Sequence, residues 1–65
     1  MKNIPGIIKD ARIKKGLTQA QVSSALGYKS SQAYQRWELG ARPVPDEKKR
    51  ALAKLLDLTV DDLVP

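Results

Sequence analysis

The 65-residue chain carries a formal net charge of +5 at pH 7 and contains neither cysteine nor histidine. Its length limits it to one domain, residues 1–65, with a small core. The composition excludes disulfides and removes the commonest metal ligand and the commonest general base, so we expect no metal, no cofactor, no small-molecule substrate and no enzymatic activity.

The first helix is predicted at the start of the chain, where apolar residues recur on one helical face. These residues are Ile4, Ile7, Ile8 and Ala11. Asn3 is a suitable N-cap, and Pro5 is tolerated in a first helical turn. Gly16 is expected to stop the helix.

A second helix is predicted to begin at Thr18, because residues 18–21 read Thr-Gln-Ala-Gln and form a capping box. In this motif the Thr18 hydroxyl accepts a backbone N–H, and the Gln21 side chain reaches back to the N-cap. Val22 and Leu26 are apolar positions four residues apart, and Gly27 is expected to end the helix.

A third helix is predicted from a cap at Ser30 to a stop at Gly40, with Tyr34 and Trp37 on its inner face. Stacking on single-stranded bases is an alternative role for these aromatic rings, but their spacing favours core packing. The second and third helices are joined by a very short connection around Gly27. Two helices that cross steeply over such a turn form a helix-turn-helix.

Pro45 at a first helical position, followed by Asp46 and Glu47, predicts a fourth helix, and Thr59 is expected to cap a short fifth one. The basic stretch 48–56 resembles a membrane-surface helix in composition, but its leucines are needed to close a small core. We therefore predict an all-α domain of five helices. Its predicted core consists of Ile7, Ile8, Ala11, Leu17, Val22, Leu26, Tyr34, Trp37, Leu52, Leu55, Leu56 and Leu63.

The charge is unevenly distributed along the chain. Residues 1–45 carry eight Lys or Arg and two acidic residues, a net charge of +6. Residues 46–65 carry four Lys or Arg and five acidic residues, a net charge of −1. A basic surface attracts polyanions, although a merely solvated surface has the same composition. No apolar stretch approaches the ~18 residues of a membrane span, and the first residues lack a signal-peptide apolar region. We therefore expect a cytoplasmic protein without a membrane partner.

These motifs occur in an order that resembles a known family. RIKKGLTQAQVSSALG (12–27) and YQRWELG (34–40) resemble the DNA-binding domain of lambdoid phage repressors and Cro proteins, the XRE-like helix-turn-helix family. The resemblance covers roughly residues 4–64. It implies a lambda-repressor-like fold, with the helix-turn-helix at helices 2 and 3 and double-stranded DNA as the partner.

The chain departs from the common family pattern at one place. The distance from Gly27 to Trp37 is one residue longer than usual, and an ungapped match would bury Arg36. An unpaired buried charge costs several kcal/mol. We therefore place one extra residue in the turn, around Tyr28 and Lys29.

Polar side chains occupy the predicted outer face of the third helix. Gln32, Gln35 and Arg36 share one side, and Ser31 lies at the N-terminal tip. Gln can bind adenine with two hydrogen bonds, Arg can bind guanine, and Ser suits several bases. We predict that all four contact bases, and the resemblance maps the family's base-reading positions onto Ser31, Gln32 and Arg36. A polar solvent-facing surface is the alternative.

The resemblance also implies contacts to phosphate. Gln19 matches a family residue that touches the DNA backbone and braces the recognition helix, and helix N-termini favour phosphate. Arg42 matches a phosphate-contacting position, and Lys29 lies in a turn that faces the same way. Such contacts position a protein on DNA without reading sequence. For each residue, simple solvation is the alternative.

Arg12 and Glu38 are assigned to architecture rather than to DNA contact. The family commonly joins the matching Arg and Glu across the first and third helices. In this chain Arg12 adjoins the apolar face of the first helix and Glu38 directly follows Trp37.

We expect a weak homodimer that is strengthened on DNA. One recognition helix covers few base pairs, and family members bind two half-sites about one DNA turn, roughly 34 Å, apart. Val44, Leu58 and Val60 are the predicted interface residues. Alternatively, Leu58 and Val60 belong wholly to the monomer core.

Together these features predict a sequence-specific, double-stranded DNA-binding transcriptional regulator of the phage or prophage Cro or repressor type, acting in the bacterial cytosol or nucleoid, or in the host cell if phage-encoded. It would occupy a palindromic operator as a dimer. The Cro type is favoured because the chain ends after the DNA-binding domain. The alternatives are a DNA-binding antitoxin of a toxin–antitoxin pair and a protein-interaction module on the same scaffold that binds no DNA.

Overall fold

The computed structural model describes residues 2–65, which contain four α-helices, one 3-10 turn and no strand. The elements are α1 (Ile4–Lys14), α2 (Gln19–Ala25), α3 (Gln32–Leu39), α4 (Asp46–Leu55) and the 3-10 turn Val60–Leu63. The all-α prediction is therefore confirmed for these residues, but the fifth helix is only a 3-10 turn. It ends at Leu63, and Val64, directly after it, has an extended backbone.

Local side-chain caps fix the starts of three elements, as predicted. Asn3 Oδ1 accepts a hydrogen bond from the Gly6 N–H at 3.2 Å. In the capping box of α2, Thr18 Oγ1 accepts from the Gln21 N–H at 3.0 Å, and Gln21 Oε1 accepts from the Thr18 N–H at 2.8 Å. Thr59 caps the 3-10 turn in the same way. These contacts satisfy N–H groups that a helix start otherwise leaves unpaired.

Two predicted helix starts are wrong by one residue. Ser31, not Ser30, occupies the N-cap of α3, and its hydroxyl accepts no helix N–H. Pro45 occupies the N-cap of α4 instead of its first helical position, because its ψ of 143° is extended. The helical backbone consequently begins at Gln32 and at Asp46.

A single apolar cluster lies between the helices. Its buried members are Ile8, Ala11, Val22, Leu26, Tyr34, Trp37, Val44, Leu52, Ala53, Leu56 and Leu63. Of the other residues predicted for the core, Leu17 and Leu55 are half-buried and pack against this cluster. Ile7 is half-buried too, but it lines a surface groove together with Leu56 and Leu58.

The burial of Val44 contradicts its predicted place at the dimer interface. Its exposed fraction is only 7%, so it belongs to the monomer core and offers almost no surface to a second copy. The loop that carries it is tied back to α3, since the Arg36 carbonyl accepts hydrogen bonds from the N–H groups of Ala41 and Arg42 at 3.0 and 3.3 Å.

Aromatic packing sets the rotation of α3 about its axis. The Trp37 ring meets the rings of Tyr34 and Tyr28 edge to face, with centroid distances of 5.7 and 5.9 Å. Tyr34 is fully buried and Trp37 is 4% exposed. Edge-to-face pairs of this kind stabilise a core beyond the area they bury. None of the helices within residues 2–65 combines the length and the apolar character needed to cross a bilayer.

Candidate nucleic-acid interface

The pair α2–α3 is joined by residues 26–31, a connection longer than the sequence predicts. Gly27 follows the end of α2 with a φ of 89°, in the left-handed region that favours glycine. The Tyr28 N–H then donates to the Ser23 carbonyl at 3.0 Å, which satisfies a carbonyl at the end of α2. Lys29 lies in the same connection and is exposed.

The outer face of α3 is polar and open to solvent. Gln32 and Arg36 are exposed, whereas Ser31 and Gln35 are half-buried. The last two are bonded to each other, because Gln35 Nε2 donates to Ser31 Oγ at 2.8 Å. The structure therefore places Gln32, Gln35 and Arg36 on the side of α3 away from Tyr34 and Trp37, with Ser31 at the N-cap and bonded to Gln35.

Leu39 continues this face and was not anticipated. It lies seven residues after Gln32 and three after Arg36, so it shares their side of the helix. Its exposed fraction is 79%, the highest among the exposed large apolar residues of the described chain. The helical spacing alone would have identified it.

Glu38 connects the elements that position α3. Its carboxylate accepts from Arg12 Nε at 2.6 Å and Arg12 Nη2 at 3.2 Å, and from Gln19 Nε2 at 2.9 Å. Arg12 Nη1 also donates to the Leu17 carbonyl at 2.9 Å. Gln19 thus braces α3 from the start of α2, and Arg12 braces it from α1.

The ionisation of this cluster reflects its burial and its partners. Burial acts to raise the pKa of Glu38, but the hydrogen bonds and charge of Arg12, with the neighbouring Tyr34 hydroxyl and Gln19 amide, together lower that pKa below its usual value. The hydrogen bond to Glu38 raises the pKa of Arg12. Glu38 and Arg12 are therefore both charged at neutral pH.

The Tyr34 hydroxyl lies at the edge of this cluster. It is buried and has no partner in hydrogen-bonding geometry among residues 2–65. Burial raises the pKa of Tyr34 first of all, and the nearby Glu38 carboxylate raises it further. The phenol is therefore neutral at pH 7, and its ring packs edge to face against Trp37.

The predicted phosphate-contacting residues Lys29 and Arg42 are both exposed. Arg42 lies next to Arg36, since its backbone N–H is bonded to the Arg36 carbonyl. An open cleft is lined by Tyr28, Ala33, Arg36, Trp37, Arg42, Pro43 and Pro45. None of these lining residues is acidic, so Arg36 and Arg42 line one cleft that no acidic residue lines with them.

Lys48 is a contributor that the sequence analysis missed. Its Nζ donates to the Leu26 carbonyl at 3.0 Å and lies 5.0 Å from the centre of the Tyr28 ring. A cation is favoured at the C-terminal end of a helix and over an aromatic face. Lys48 therefore fastens α4 to the connection between α2 and α3, and nothing in its local sequence indicates this contact.

The remaining two residues predicted at a dimer interface differ in accessibility. Leu58 is half-buried and packs against the core. Val60 is 42% exposed at the start of the 3-10 turn. Of the three predicted interface residues, Val60 offers the most surface to a second copy.

A braced helix pair, whose second helix turns an aromatic face inward and a polar face outward, defines a helix-turn-helix domain. A family model described as helix-turn-helix matches residues 8–63, which include all four α-helices except the first turn of α1. The chain belongs to this XRE-type helix-turn-helix family, whose members are DNA-binding regulators and are typically not enzymes. Searches of curated proteins and of solved structures each found no significant match.

Proposed function

We propose that this protein is a transcriptional regulator of the Cro or repressor type that binds double-stranded DNA sequence-specifically, with α3 in the major groove. The observation that carries the proposal is the division of α3 into two faces. Trp37 is 4% exposed, whereas Gln32 and Arg36 are exposed on the opposite side. Side chains of these types match the donors and acceptors on base edges in a major groove.

Base reading is assigned to the outer face of α3, formed by Ser31, Gln32, Gln35 and Arg36. Arg36 suits guanine, because its guanidinium can donate to both O6 and N7. Gln32 suits adenine through its amide. Each good contact of this kind is worth about 1–3 kcal/mol of discrimination against the wrong base.

Phosphate contacts are assigned to Lys29, Arg42 and Gln19. Arg42 and Lys29 are exposed, and Arg42 shares the acid-free cleft with Arg36. Gln19 uses one amide N–H for Glu38, and a primary amide has a second N–H that remains free for a phosphate oxygen. These contacts set the position of α3 on the duplex and do not read sequence.

A palindromic operator bound by two copies is the proposed binding mode. A single module buries a modest surface on DNA, and pairing two half-sites multiplies specificity. The contact between copies is assigned to Val60, with the edge of Leu58. So small an apolar patch favours weak association that DNA strengthens. Occupation of the operator would exclude polymerase without any chemical step.

The decisive experiment selects bound sites from random duplex DNA and then measures the affinity of the parent and of variants for the selected site. Gln32→Ala and Arg36→Ala are expected to lose base preference at defined positions. Arg50→Ala is the matched control for Arg36→Ala, because Arg50 is an exposed arginine on α4, outside the proposed interface. Failure to enrich any site, together with no salt-dependent binding to random duplex, would overturn the proposal.

A further inference from the structure

We infer that Ser31 and Gln35 act as one base-reading unit, in which Ser31 orients the Gln35 amide so that it selects adenine. The inference rests on the proposed function and deepens it. It assigns a base to Gln35, and it gives Ser31, besides its assigned place on the base-reading face, a positioning role that acts through its neighbour.

Ser31 holds Gln35 at two points. Its backbone carbonyl accepts from the Gln35 N–H at 2.9 Å, and its Oγ accepts from Gln35 Nε2 at 2.8 Å. The Ser31 hydroxyl is available for this contact because it does not cap the helix, although Ser31 occupies the N-cap position. A serine at that position ordinarily binds a backbone N–H of the first turn.

The side-chain contact holds the Gln35 amide in one of its two orientations, with Ser31 Oγ as the acceptor. A glutamine amide on a helix surface can rotate about its last bond, which exchanges the positions of its oxygen and its nitrogen. In this structure the nitrogen is directed toward Ser31, and both residues are half-buried while Gln32 and Arg36 beside them are exposed. Gln35 is thereby ordered before any DNA arrives, which reduces the conformational entropy lost on binding.

The atoms left free define the base. A primary amide has two N–H groups and one carbonyl oxygen. Ser31 uses one N–H, so the second N–H and Oε1 remain as an adjacent donor and acceptor. Adenine presents the complementary pair in the major groove, with an acceptor at N7 and a donor at N6.

The other bases fit this pair less well. Guanine presents two acceptors, N7 and O6, so Oε1 would face an acceptor. Thymine presents only the O4 acceptor with a methyl group, and cytosine presents only a donor. The tethered Gln35 therefore favours an A·T pair with adenine on the contacted strand.

The test is a double-mutant cycle scored by base preference. The parent first selects its site, and duplexes carrying each of the four base pairs at every half-site position are then titrated with parent, Ser31→Ala, Gln35→Ala and the double variant. Gln35→Ala is expected to reduce discrimination at a single adenine position by roughly tenfold. Ser31→Ala is expected to reduce discrimination at that same position, and the double variant to lose no more than Gln35→Ala.

Two conservative variants and one control separate positioning from general structure. Ser31→Thr retains a hydroxyl and is expected to restore the preference. Gln35→Glu replaces the donor–acceptor pair with acceptors only, so its preference should move toward cytosine. Ser24→Ala removes an exposed serine from α2 and should leave base preference unchanged. Circular dichroism melts establish that each variant is folded.

The outcomes distinguish a failure of this inference from a failure of the proposed function. If the parent selects no site, the proposed function fails and the inference fails with it. Two outcomes overturn the Ser31–Gln35 unit alone when the parent does select a site. In one, Ser31→Ala keeps the full base preference of the parent. In the other, the losses of base discrimination in the two single variants add in the double variant. A selected base other than adenine at the Gln35 position overturns it as well.

Discussion

The carboxylate of Glu38 is bonded to the guanidinium of Arg12 by two hydrogen bonds, at 2.6 and 3.2 Å, across 26 residues of chain. The side chains are only 4% and 14% exposed, respectively. The pair joins α1 to α3. The Gln19 amide, at the start of α2, donates a hydrogen bond to the same carboxylate and so connects α2 as well. The orientation of the outer face of α3 therefore depends on an ion pair that lies outside the proposed DNA contacts.

Neutralising this pair should destabilise the domain. Glu38→Gln leaves the Arg12 charge partly buried without its counter-charge, and breaking one member of such a pair costs about 3–5 kcal/mol. Urea denaturation followed by circular dichroism measures the loss. Glu47→Gln is the control, since Glu47 is an exposed residue of α4 and its removal should change little. A free energy of unfolding equal to that of the parent would mean that the pair contributes no net stability.

Acid should weaken the fold through the same carboxylate. The pKa of Glu38 is lower in the folded state than in the unfolded chain. The ionised Glu38 therefore adds to the free energy of unfolding above the unfolded pKa of about 4.3, and this contribution is lost as pH falls through the folded-state pKa. Melting temperatures between about pH 2 and pH 6 are expected to decline on the acid side. Glu38→Gln should flatten that decline more than Asp46→Asn, although the pKa of Asp46 is also lowered, by its hydrogen bond from Lys49. Equal slopes for parent and Glu38→Gln would contradict the assignment.

Arg42→Ala should weaken binding to every duplex alike. A phosphate contact carries no sequence information, and its loss is expected to reduce the slope of log affinity against log salt by about one unit. Titrations of a selected and an unrelated duplex at several salt concentrations test this. Arg50→Ala removes the same charge elsewhere and should leave the slope nearly unchanged. A loss restricted to the selected duplex would instead make Arg42 a base-reading residue.

Lys48→Ala should loosen the connection between α2 and α3. The change removes the hydrogen bond to the Leu26 carbonyl and the cation from the Tyr28 ring, and we expect a loss of about 1 kcal/mol in stability. Amide exchange of residues 26–31 should accelerate relative to that of α1. Lys54→Ala, an exposed lysine on the same helix, provides the comparison. Unchanged exchange in residues 26–31 would show that the connection is held by other contacts.

Val60→Lys should reduce cooperative occupation of a palindrome while the monomer stays folded. Val60 is 42% exposed, so a lysine there costs the core little, whereas two facing lysines would oppose pairing. Footprinting on full and half palindromes measures the effect. Ile13→Lys adds the same charge at an exposed position of α1 and should preserve cooperativity. Retained cooperativity in Val60→Lys would move the interface to another surface.

The features that sequence reasoning anticipated are local ones. The capping box at Thr18 and Gln21 depends on residues three apart, and Gly27 and Gly40 mark positions where φ is positive. The inward direction of Tyr34 and Trp37 follows from helical spacing alone. Such signals are readable because the interacting groups are neighbours in the chain.

The features that sequence reasoning missed depend on where distant segments meet. Val44 is buried in the core cluster, whose members come from the whole length of the chain, and Lys48 reaches Leu26 across 22 residues. Neither contact has a spacing rule. Arg12 and Glu38 were paired through the family resemblance, which carries long-range information that periodicity lacks. The start of α3 was misplaced because Ser30 and Ser31 are equally good caps by residue type.

The hydrogen bonds from Ala41 and Arg42 to the Arg36 carbonyl have a consequence for operator choice. The main chain fixes the backbone positions of Arg36 and Arg42 relative to each other, so only their side chains can adjust to different duplexes. A mismatch larger than the side chains can span falls to the DNA, through changes in groove width or local bending. We therefore expect selected sites to favour flexible pyrimidine–purine steps at positions that no side chain touches, because such steps deform at lower energetic cost.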